Sequence, residues 1–308
     1  MKRPAIAVYI LFLSVMLRVL PALSTAATYY ETVEIKSIVI AVNVFDSNGY
    51  PLLYLKKKDF SLFENQVEQE IDFFVRNDKT PVKMIFLLDA SGSMGLGDKM
   101  RFSKRAIETA VSLLRKGDTY ELYTFTEKNI LRVIEETSEK NNIEQILDSI
   151  NAWGKTAIFD SLDKITDIIS MDRDSGKIAL VLFTDGIDNS STLNKKEVLN
   201  KFRSVAVPMY IIAFDTFASR RSSQHFVDAG LSNKILEYFS AQTGGNAYIL
   251  EDPVKAPGII LRIYKTVRNQ YLLGYTSRNK FEDGEYVRIN LIVNKKNTTI
   301  KVRKGFIN

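Results

Sequence analysis

The sequence predicts an α/β fold: a doubly wound, mostly parallel sheet inserted in a small β-sandwich-like domain. Between residues 81 and 268, apolar strand-like runs alternate with amphipathic helical stretches. This alternation is typical of a parallel sheet whose two faces are both covered by helices. The segments on either side, 28–79 and 269–308, instead show the period-two alternation of short strands. Because chain termini often lie close together in a domain, we expect these flanks to pack against each other as one domain.

Residues 1–26 have the pattern of an export signal. Lys2 and Arg3 precede an apolar run over 5–17, and the small residues of 24–27 predict cleavage after Ala26. The alternative is an uncleaved membrane anchor, but Arg18 interrupts the run before it reaches the ~20 apolar residues that span a bilayer. No cysteine follows the run, which excludes a lipoprotein anchor. We therefore expect an exported protein that is periplasmic, held at the cell surface or secreted.

Composition excludes several classes of site. The chain has no cysteine, and its single histidine, His225, lies in a polar stretch that is typical of a solvated loop. Disulfides, thiolate nucleophiles and multi-histidine metal sites are therefore ruled out. The net charge of +6 falls to +3 without the three cations of residues 1–26, a segment that carries no acid. No nucleic-acid recognition motif accompanies this charge, so no nucleic-acid partner is expected.

Basic residues are concentrated at the C-terminus, where no acid follows Glu285. They are Arg288, Lys295, Lys296, Lys301, Arg303 and Lys304. Over 299–304 they alternate with other residues, as on a half-buried strand with a basic outer face. Attraction to an anionic envelope surface stays open as an explanation.

The individual elements follow from local patterns. In the N-terminal flank, strand patterns cover 33–44, 60–64 and 71–75, with a turn at 46–49. In the central region, strand-like runs cover 84–88, 120–125, 178–183 and 208–214. Helical spacing predicts helices over 107–114, 143–150, 158–169 and, less cleanly, 254–267. In the C-terminal flank, strand patterns cover 270–276, 286–293 and 298–302.

Oxygen-bearing side chains follow two of the buried runs. Asp89, Ser91 and Ser93 come directly after run 84–88, and Asp185 follows run 178–183. Thr156 lies at the junction between a loop and the helix over 158–169. Ligands of parallel sheets bind at the carboxyl ends of the strands, and oxygen-only ligands suit hard divalent cations. The five residues therefore predict a site for Mg²⁺, or for Ca²⁺ or Mn²⁺. Helix capping is the alternative reading of Asp89 and the two serines, but it leaves Thr156 and Asp185 unexplained.

The order Asp-x-Ser-x-Ser, Thr156, Thr184-Asp185-Gly186 resembles the von Willebrand factor A domain, over roughly residues 80–268. The resemblance implies a fold of Rossmann-like topology with a metal-ion-dependent adhesion site. It implies that Ser91, Ser93 and Thr156 are hydroxyl ligands, with Asp89 and Asp185 acting directly or through water. The flanks are similar to a bacterial exported subfamily in Val42-x-Val44-Phe45-Asp46-x-x-Gly49-Tyr50-Pro51, Lys58-Asp59-Phe60-x-Leu62 and Tyr271-x-Leu273-Gly274-Tyr275.

Three further residues are candidates around this site. Asp160, one helical turn after Thr156, could accept hydrogen bonds from the ligands or balance the helix dipole. Asp188 belongs either to the rim of the site or to a solvated loop. Trp153 could contact a partner at the rim or pack the loop.

These observations favour a protein-binding module over an enzyme. A cation held largely by hydroxyls would keep an open position for a carboxylate of a protein partner, including one in the cell envelope. A Mg²⁺-dependent hydrolase is a weaker hypothesis because no histidine or cysteine accompanies the predicted ligands, and Ser91 stands where a paired acid would be. A structural scaffold of an envelope assembly is a third hypothesis.

Overall fold

Three sheets organise residues 36–308, which the computed structural model describes apart from residues 77, 128, 172–176, 216–225 and 278. The predicted export signal and His225 lie outside the described residues. The strands are β1 (Lys36–Phe45), β2 (Phe60–Glu64), β3 (Val67–Gln69), β4 (Phe73–Arg76), β5 (Val82–Asp89), β6 (Thr119–Phe125), β7 (Ile130–Thr137), β8 (Lys177–Thr184), β9 (Met209–Phe214), β10 (Ala247–Leu250), β11 (Tyr271–Ser277), β12 (Tyr286–Val293), β13 (Thr299–Val302) and β14 (Gly305–Ile307). The helices are α1 (Lys99–Leu113), α2 (Ile143–Ser149), α3 (Ile158–Met171), α4 (Lys195–Ser204), α5 (Phe226–Thr243) and α6 (Ala256–Arg268).

The central sheet has six strands in the order β10-β9-β8-β5-β6-β7. All neighbouring pairs are parallel except β6 and β7, which pair antiparallel at one edge. Every residue of β5 and of β9 is buried, which explains why these strands are continuous apolar runs. The prediction of a mostly parallel sheet is confirmed.

Helices cover both faces of this sheet, as expected for a doubly wound fold. One buried cluster joins the sheet to α1 and α6, and a second joins it to α3, α4 and α5. The apolar stripe predicted over 254–267 was wrong in its register. Of the predicted stripe Val254, Ile259, Leu261 and Val267, only Val267 is fully buried, and Val254 is 53% exposed; the buried face of α6 also contains Ile260 and Ile263.

Two four-stranded sheets are built from both flanks of the chain. Their strand orders are β13-β1-β11-β4 and β14-β12-β2-β3, so each sheet combines strands that precede and follow the α/β region. β1 pairs antiparallel with β11 in a register that places Ile40 opposite Leu273. One buried cluster draws apolar side chains from both sheets. The domain limits at residues 80 and 268 stay predictions.

The carboxyl end of the central sheet is where the candidate ligands emerge. β5 ends at Asp89 and β8 ends at Thr184, and because these two strands are parallel neighbours their ends meet. A short 3-10 turn, Gly92–Gly95, connects β5 to α1, and α3 begins at Ile158. In the described part of the chain, no helix combines the length and the hydropathy needed to cross a membrane.

Candidate metal site

The carboxylate of Asp89 is fully buried between the ends of two strands. Its Oδ1 accepts a hydrogen bond from the backbone N of Ser91 at 2.9 Å. Its Oδ2 accepts one from the hydroxyl of Thr184, the last residue of β8, at 2.7 Å. The side chain is therefore held in one orientation, with the Ser91 loop on one side and the β8 end on the other.

The two serines lie together, and the loop that carries Thr156 is clamped against them. The Oγ atoms of Ser91 and Ser93 are 3.2 Å apart, within hydrogen-bonding distance. The backbone N of Gly92 donates to the carbonyl of Gly154 at 3.0 Å, and that of Trp153 donates to the carbonyl of Ala90 at 2.8 Å. These bonds place the 152–156 loop directly beside the loop that follows β5.

Thr156 is buried and tied to the loop that follows Asp185. Its backbone N donates to Asn189 Oδ1 at 2.9 Å, and its carbonyl accepts from the backbone N of Asn189 and of Ser190 at 3.0 and 3.1 Å. The Oγ of Ser190 is buried without a hydrogen-bond partner. Three separate segments, after β5, before α3 and after β8, are thus linked by main-chain hydrogen bonds. Sequence reasoning did not identify Asn189 as the residue that makes this link.

Asp185 carries both a buried ion pair and an unused oxygen. Its Oδ2 accepts from the Nζ of Lys99 at 2.8 Å, and neither side chain is exposed. Its Oδ1 is buried and has no hydrogen-bond partner. A buried carboxylate oxygen without a donor is costly, and native structures usually fill such a position with a proton donor, water or ion.

Lys99 is the charged residue that sequence reasoning missed. It is the first residue of α1, and it shares one helix face with Ser103, Ala106 and Ala110, all of which are buried. A lysine on the buried face of an amphipathic helix requires an acidic partner, because a buried unpaired charge is strongly unfavourable. The position of Lys99 on the apolar face of the helical pattern was the sequence signal that could have identified it as a buried, paired residue.

The electrostatics of the site favour an added cation. Burial and the neighbouring carboxylate of Asp185 raise the pKa of Asp89 from 3.8 to about 7. In the part of the chain that the structure describes, the ammonium of Lys99 pairs with one of these two carboxylates, that of Asp185, and a single positive charge does not balance two carboxylates. Among the described residues no cluster of three or more acidic or histidine side chains could hold a metal. The hydroxyls of Ser91, Ser93 and Thr156 would have to complete an oxygen donor set, and such a set suits a hard divalent cation.

The three peripheral candidates occupy different positions. Asp160 accepts hydrogen bonds from the backbone N of Thr192 and of Leu193, both at 3.0 Å, and so fixes the loop before α4. Asp188 accepts from the backbone N of Phe159 at 3.1 Å, at the start of α3. The side chain of Trp153 is 62% exposed. Asp160 and Asp188 thus hold loops and a helix end, whereas Trp153 presents its ring to solvent.

Comparisons with known proteins agree with this architecture. The family model of the von Willebrand factor type A domain matches residues 84–187. A von Willebrand factor type A structure from Catenulispora acidiphila superposes with a TM-score of 0.51 at 12% identity, covering 90% of this chain and 75% of that one. Proximal thread matrix protein 1 from the mussel byssus, solved with a zinc-occupied metal-ion-dependent adhesion site motif, gives 0.51 at 17% identity, covering 66% and 49%.

A pilus adhesin, SpaC from Lactobacillus rhamnosus GG, gives a TM-score of 0.51 at 8% identity and covers 81% of this chain and 47% of the adhesin. This chain therefore spans about half the length of the mussel protein and of the adhesin. No curated protein matches the sequence significantly. The identities are low, so these structures establish a shared fold.

The family match covers the part of the chain that contains the candidate ligands. It begins within β5, before Asp89, and it ends two residues after Asp185. The six-stranded sheet and its helices on both faces are the architecture expected of that family. Residues 84–187 therefore match the von Willebrand factor type A domain, and the described chain shares the fold of such domains.

Proposed function

We propose that this protein is an exported, metal-dependent binding module that captures an acidic group of a protein partner. The observation that carries the proposal is the unpartnered Oδ1 of Asp185, buried beside the carboxylate of Asp89. An unfilled acceptor next to a second buried carboxylate is unfavourable for folding alone, and it suits a site that binds a cation.

Five residues would hold the cation: Asp89, Ser91, Ser93, Thr156 and Asp185. Mg²⁺ is the preferred candidate, with Ca²⁺ and Mn²⁺ as alternatives, because all five donors are oxygens. When bound, a divalent cation would offer an open coordination position to a carboxylate oxygen of the partner. Three of the donors are neutral hydroxyls, so the protein itself supplies little negative charge to compete with that carboxylate.

The protein itself contributes rigid ligand-bearing loops, in which Lys99 neutralises part of the carboxylate charge. Main-chain bonds between Gly92 and Gly154 and between Trp153 and Ala90 hold the ligand-bearing loops in place before any partner arrives. Such preorganisation lowers the entropic cost of binding. Lys99 holds one oxygen of Asp185 at 2.8 Å and leaves the other free to act directly or through water.

Exposed apolar side chains on the same loops support a protein partner. Leu96 follows the serines and is 46% exposed, Trp153 precedes Thr156 and is 62% exposed, and Leu193, beside Asp160, is 38% exposed. Large apolar side chains around a polar anchor are typical of binding surfaces. The partner would then combine a carboxylate with neighbouring apolar groups, and the export signal predicted over residues 1–26 would place the encounter outside the cytoplasm.

The test measures metal binding and partner capture on the same variants. Purified protein lacking residues 1–26 is titrated with Mg²⁺, Mn²⁺ and Ca²⁺ by calorimetry and thermal denaturation. It is then used as bait in envelope extract, with Mg²⁺ or with chelator. We expect Asp89→Ala and Ser93→Ala to abolish the metal-induced stabilisation and the metal-dependent capture while the circular dichroism spectrum is kept.

Partner capture that survives chelator and both substitutions would contradict the metal-dependent function and favour the scaffold hypothesis. Hydrolysis of generic phosphate esters by the wild type, lost in Asp89→Ala, would instead revive the hydrolase hypothesis.

A further inference from the structure

A second surface of the protein has the character of a binding groove. It has a volume of 740 Å³ and lies between α4 and α5 on one side and β12 and β13 on the other. Its lining includes Arg203, Tyr238, Tyr286, Arg288 and Lys304. None of the predicted metal ligands belongs to it. The groove gives a role to part of the basic C-terminal segment that the metal site leaves unexplained.

The charge in this groove is uncompensated. Arg203, Arg288 and Lys304 contribute three cations, and no aspartate or glutamate lines the groove. Within the described part of the chain, none of the three is paired with a carboxylate. Such a concentration of one sign attracts an anionic ligand and favours its retention.

Arg203 is held ready for such a ligand. Its guanidinium donates to the side-chain oxygens of Asn200 at 3.1 Å and of Gln242 at 2.5 Å, and both partners are neutral amides. It lies over the ring of Tyr286, 4.4 Å from the ring centre. Its Nε is buried and has no hydrogen-bond partner. The cation is therefore fixed by neutral groups, and no described residue acts as its counter-ion.

The groove also follows an open strand edge. β12 pairs with β2 over residues 289–293 on one side, but its other side pairs with β14 only over residues 286–288. The backbone N of Ile289 donates to the carbonyl of Lys304, beyond which no strand continues along that side in the described residues. By the alternation of an antiparallel strand, the backbone N–H groups of Leu291 and Val293 point toward this open side.

We propose that the groove binds an extended acidic peptide, which adds as a strand to the open edge of β12 and places its carboxylates against Arg203, Arg288 and Lys304. Strand addition supplies main-chain hydrogen bonds, and the three cations supply selectivity for acidic side chains. The open backbone edge favours a peptide over other polyanions, because only a peptide can continue the hydrogen-bond ladder. This binding requires no metal and is independent of the function proposed for the metal site.

The test uses a short fluorescent peptide in which glutamate alternates with threonine and valine. Fluorescence anisotropy is measured on wild-type protein and on Arg288→Gln/Lys304→Gln, whose two side chains lie on exposed residues. We expect the double variant to bind at least about tenfold more weakly, because two charge-assisted contacts are lost. The control is Lys295→Gln/Lys296→Gln, which removes equal charge from the same segment outside the groove, and it should bind like the wild type.

Two changes to the probe test the mode of binding. Replacing glutamate by glutamine should abolish binding, and methylating the backbone nitrogens that face the protein should weaken it by about tenfold through lost ladder hydrogen bonds. Chelator and Asp89→Ala should change neither result, which separates this site from the metal site.

The proposal is overturned if the control double variant loses as much affinity as the groove double variant, because the binding would then be nonspecific. It is equally overturned if backbone methylation has no effect, or if polyphosphate or heparin binds as tightly as the peptide and with the same dependence on Arg288 and Lys304. Those last results would make the groove a general polyanion site.

Discussion

The two ends of β5 carry two buried acidic clusters that differ in how fully they are satisfied. At the amino end, Oδ1 of Asp118 accepts from the backbone N of Val82 at 2.9 Å. Its Oδ2 accepts from the backbone N of Arg115 and from the hydroxyl of Tyr264, both at 2.8 Å, and from the guanidinium of Arg268. At the carboxyl end, the carboxylate of Asp185 has one partner among the described residues, Lys99, and its Oδ1 is buried without a hydrogen bond.

The electrostatic consequences are opposite. Burial acts to raise the pKa of Asp118, but hydrogen bonds led by the one from Arg268 outweigh it and hold the pKa below its ordinary 3.8. Burial together with a second carboxylate raises the pKa of Asp89 to about 7. A buried acid whose lone pairs are filled stabilises the fold, whereas a pair of acids with an unfilled oxygen is a place for a ligand. The first cluster is therefore structural, and the second is the candidate site.

The largest predicted effect is on the structural cluster. Asp118→Asn should lower the free energy of unfolding by about 3–5 kcal/mol, because it leaves Arg268 buried without its counter-charge. Urea denaturation of the variant and the wild type at neutral pH measures this difference in the free energy of unfolding. Because the folded pKa lies below the unfolded one, the stabilisation is complete above pH 3.8 and is lost as the pH falls through the folded value. The variant should therefore also show a weaker decline of stability in acid.

Asp167→Asn is the matched control, since Asp167 is half exposed and shares Lys201 with Asp163. It should cost less than about 1 kcal/mol. Similar losses in the two variants would contradict the structural role of the Asp118 cluster.

The second-largest effect is on stabilisation by Mg²⁺, which should depend on the cluster at the carboxyl end of β5 and not on the cluster at its amino end. Saturating Mg²⁺, at 100 times its dissociation constant, should raise the free energy of unfolding of the wild type by about 2.7 kcal/mol. Asp185→Asn should lose most of this gain, because it removes a charged ligand. Asp118→Asn should keep all of it despite its lower starting stability. Denaturation of each variant with Mg²⁺ and with chelator decides this, and equal gains in all three proteins would disprove the assignment of Asp185.

The strands that position both clusters were predictable, because burial on both faces leaves a clear sequence pattern. β5, β8 and β9 are buried along almost their whole length and read as apolar runs. β7 was not predicted: as an edge strand with one buried residue, Ile134, it mixes charged and apolar residues without a period. α4 was missed because only Val198, Leu199 and Phe202 are buried along its length.

Asp89, Ser91, Ser93 and Asp185 could be proposed as ligands from the sequence because they follow strand ends, where the topology of a parallel sheet brings them together. Lys99 could not be paired with Asp185 in the same way, since 86 residues separate them and only the packing of α1 against the sheet joins them. The unfilled Oδ1 of Asp185 is likewise a property of packing, because the sequence does not record which atoms find partners.

The third prediction concerns Lys99, the internal cation that moderates the carboxyl-end cluster. Lys99→Met should raise the affinity for Mg²⁺ by about tenfold, because it removes a positive charge next to the two carboxylates. The metal-free variant should be less stable than the wild type, since the carboxylate of Asp185 loses the hydrogen-bond donor that it has among the described residues. Calorimetric titration measures the affinity for Mg²⁺.

The control is Lys140→Met. Lys140 donates to the carbonyl of Leu114 at the other end of α1, so this substitution should leave the affinity for Mg²⁺ unchanged. Weaker Mg²⁺ binding in Lys99→Met would instead show that Lys99 positions Asp185.

The smallest effect on stability is expected at Trp153, where the carboxyl-end site meets solvent. Its ring is 62% exposed, and its one loop-fixing contact is made by the backbone, so Trp153→Ala should change the free energy of unfolding by less than about 0.5 kcal/mol. The Mg²⁺ response should also be unchanged, while metal-dependent partner capture should weaken by about tenfold or more, because exposed tryptophans are frequent hot spots. Tyr54→Ala, equally exposed at 66% but in the flanking β region, serves as the control for loss of an aromatic surface and should capture like the wild type. A large loss of stability in Trp153→Ala would show that the ring packs the loop and does not contact a partner. Trp153 would then be a structural residue, as the Asp118 cluster is.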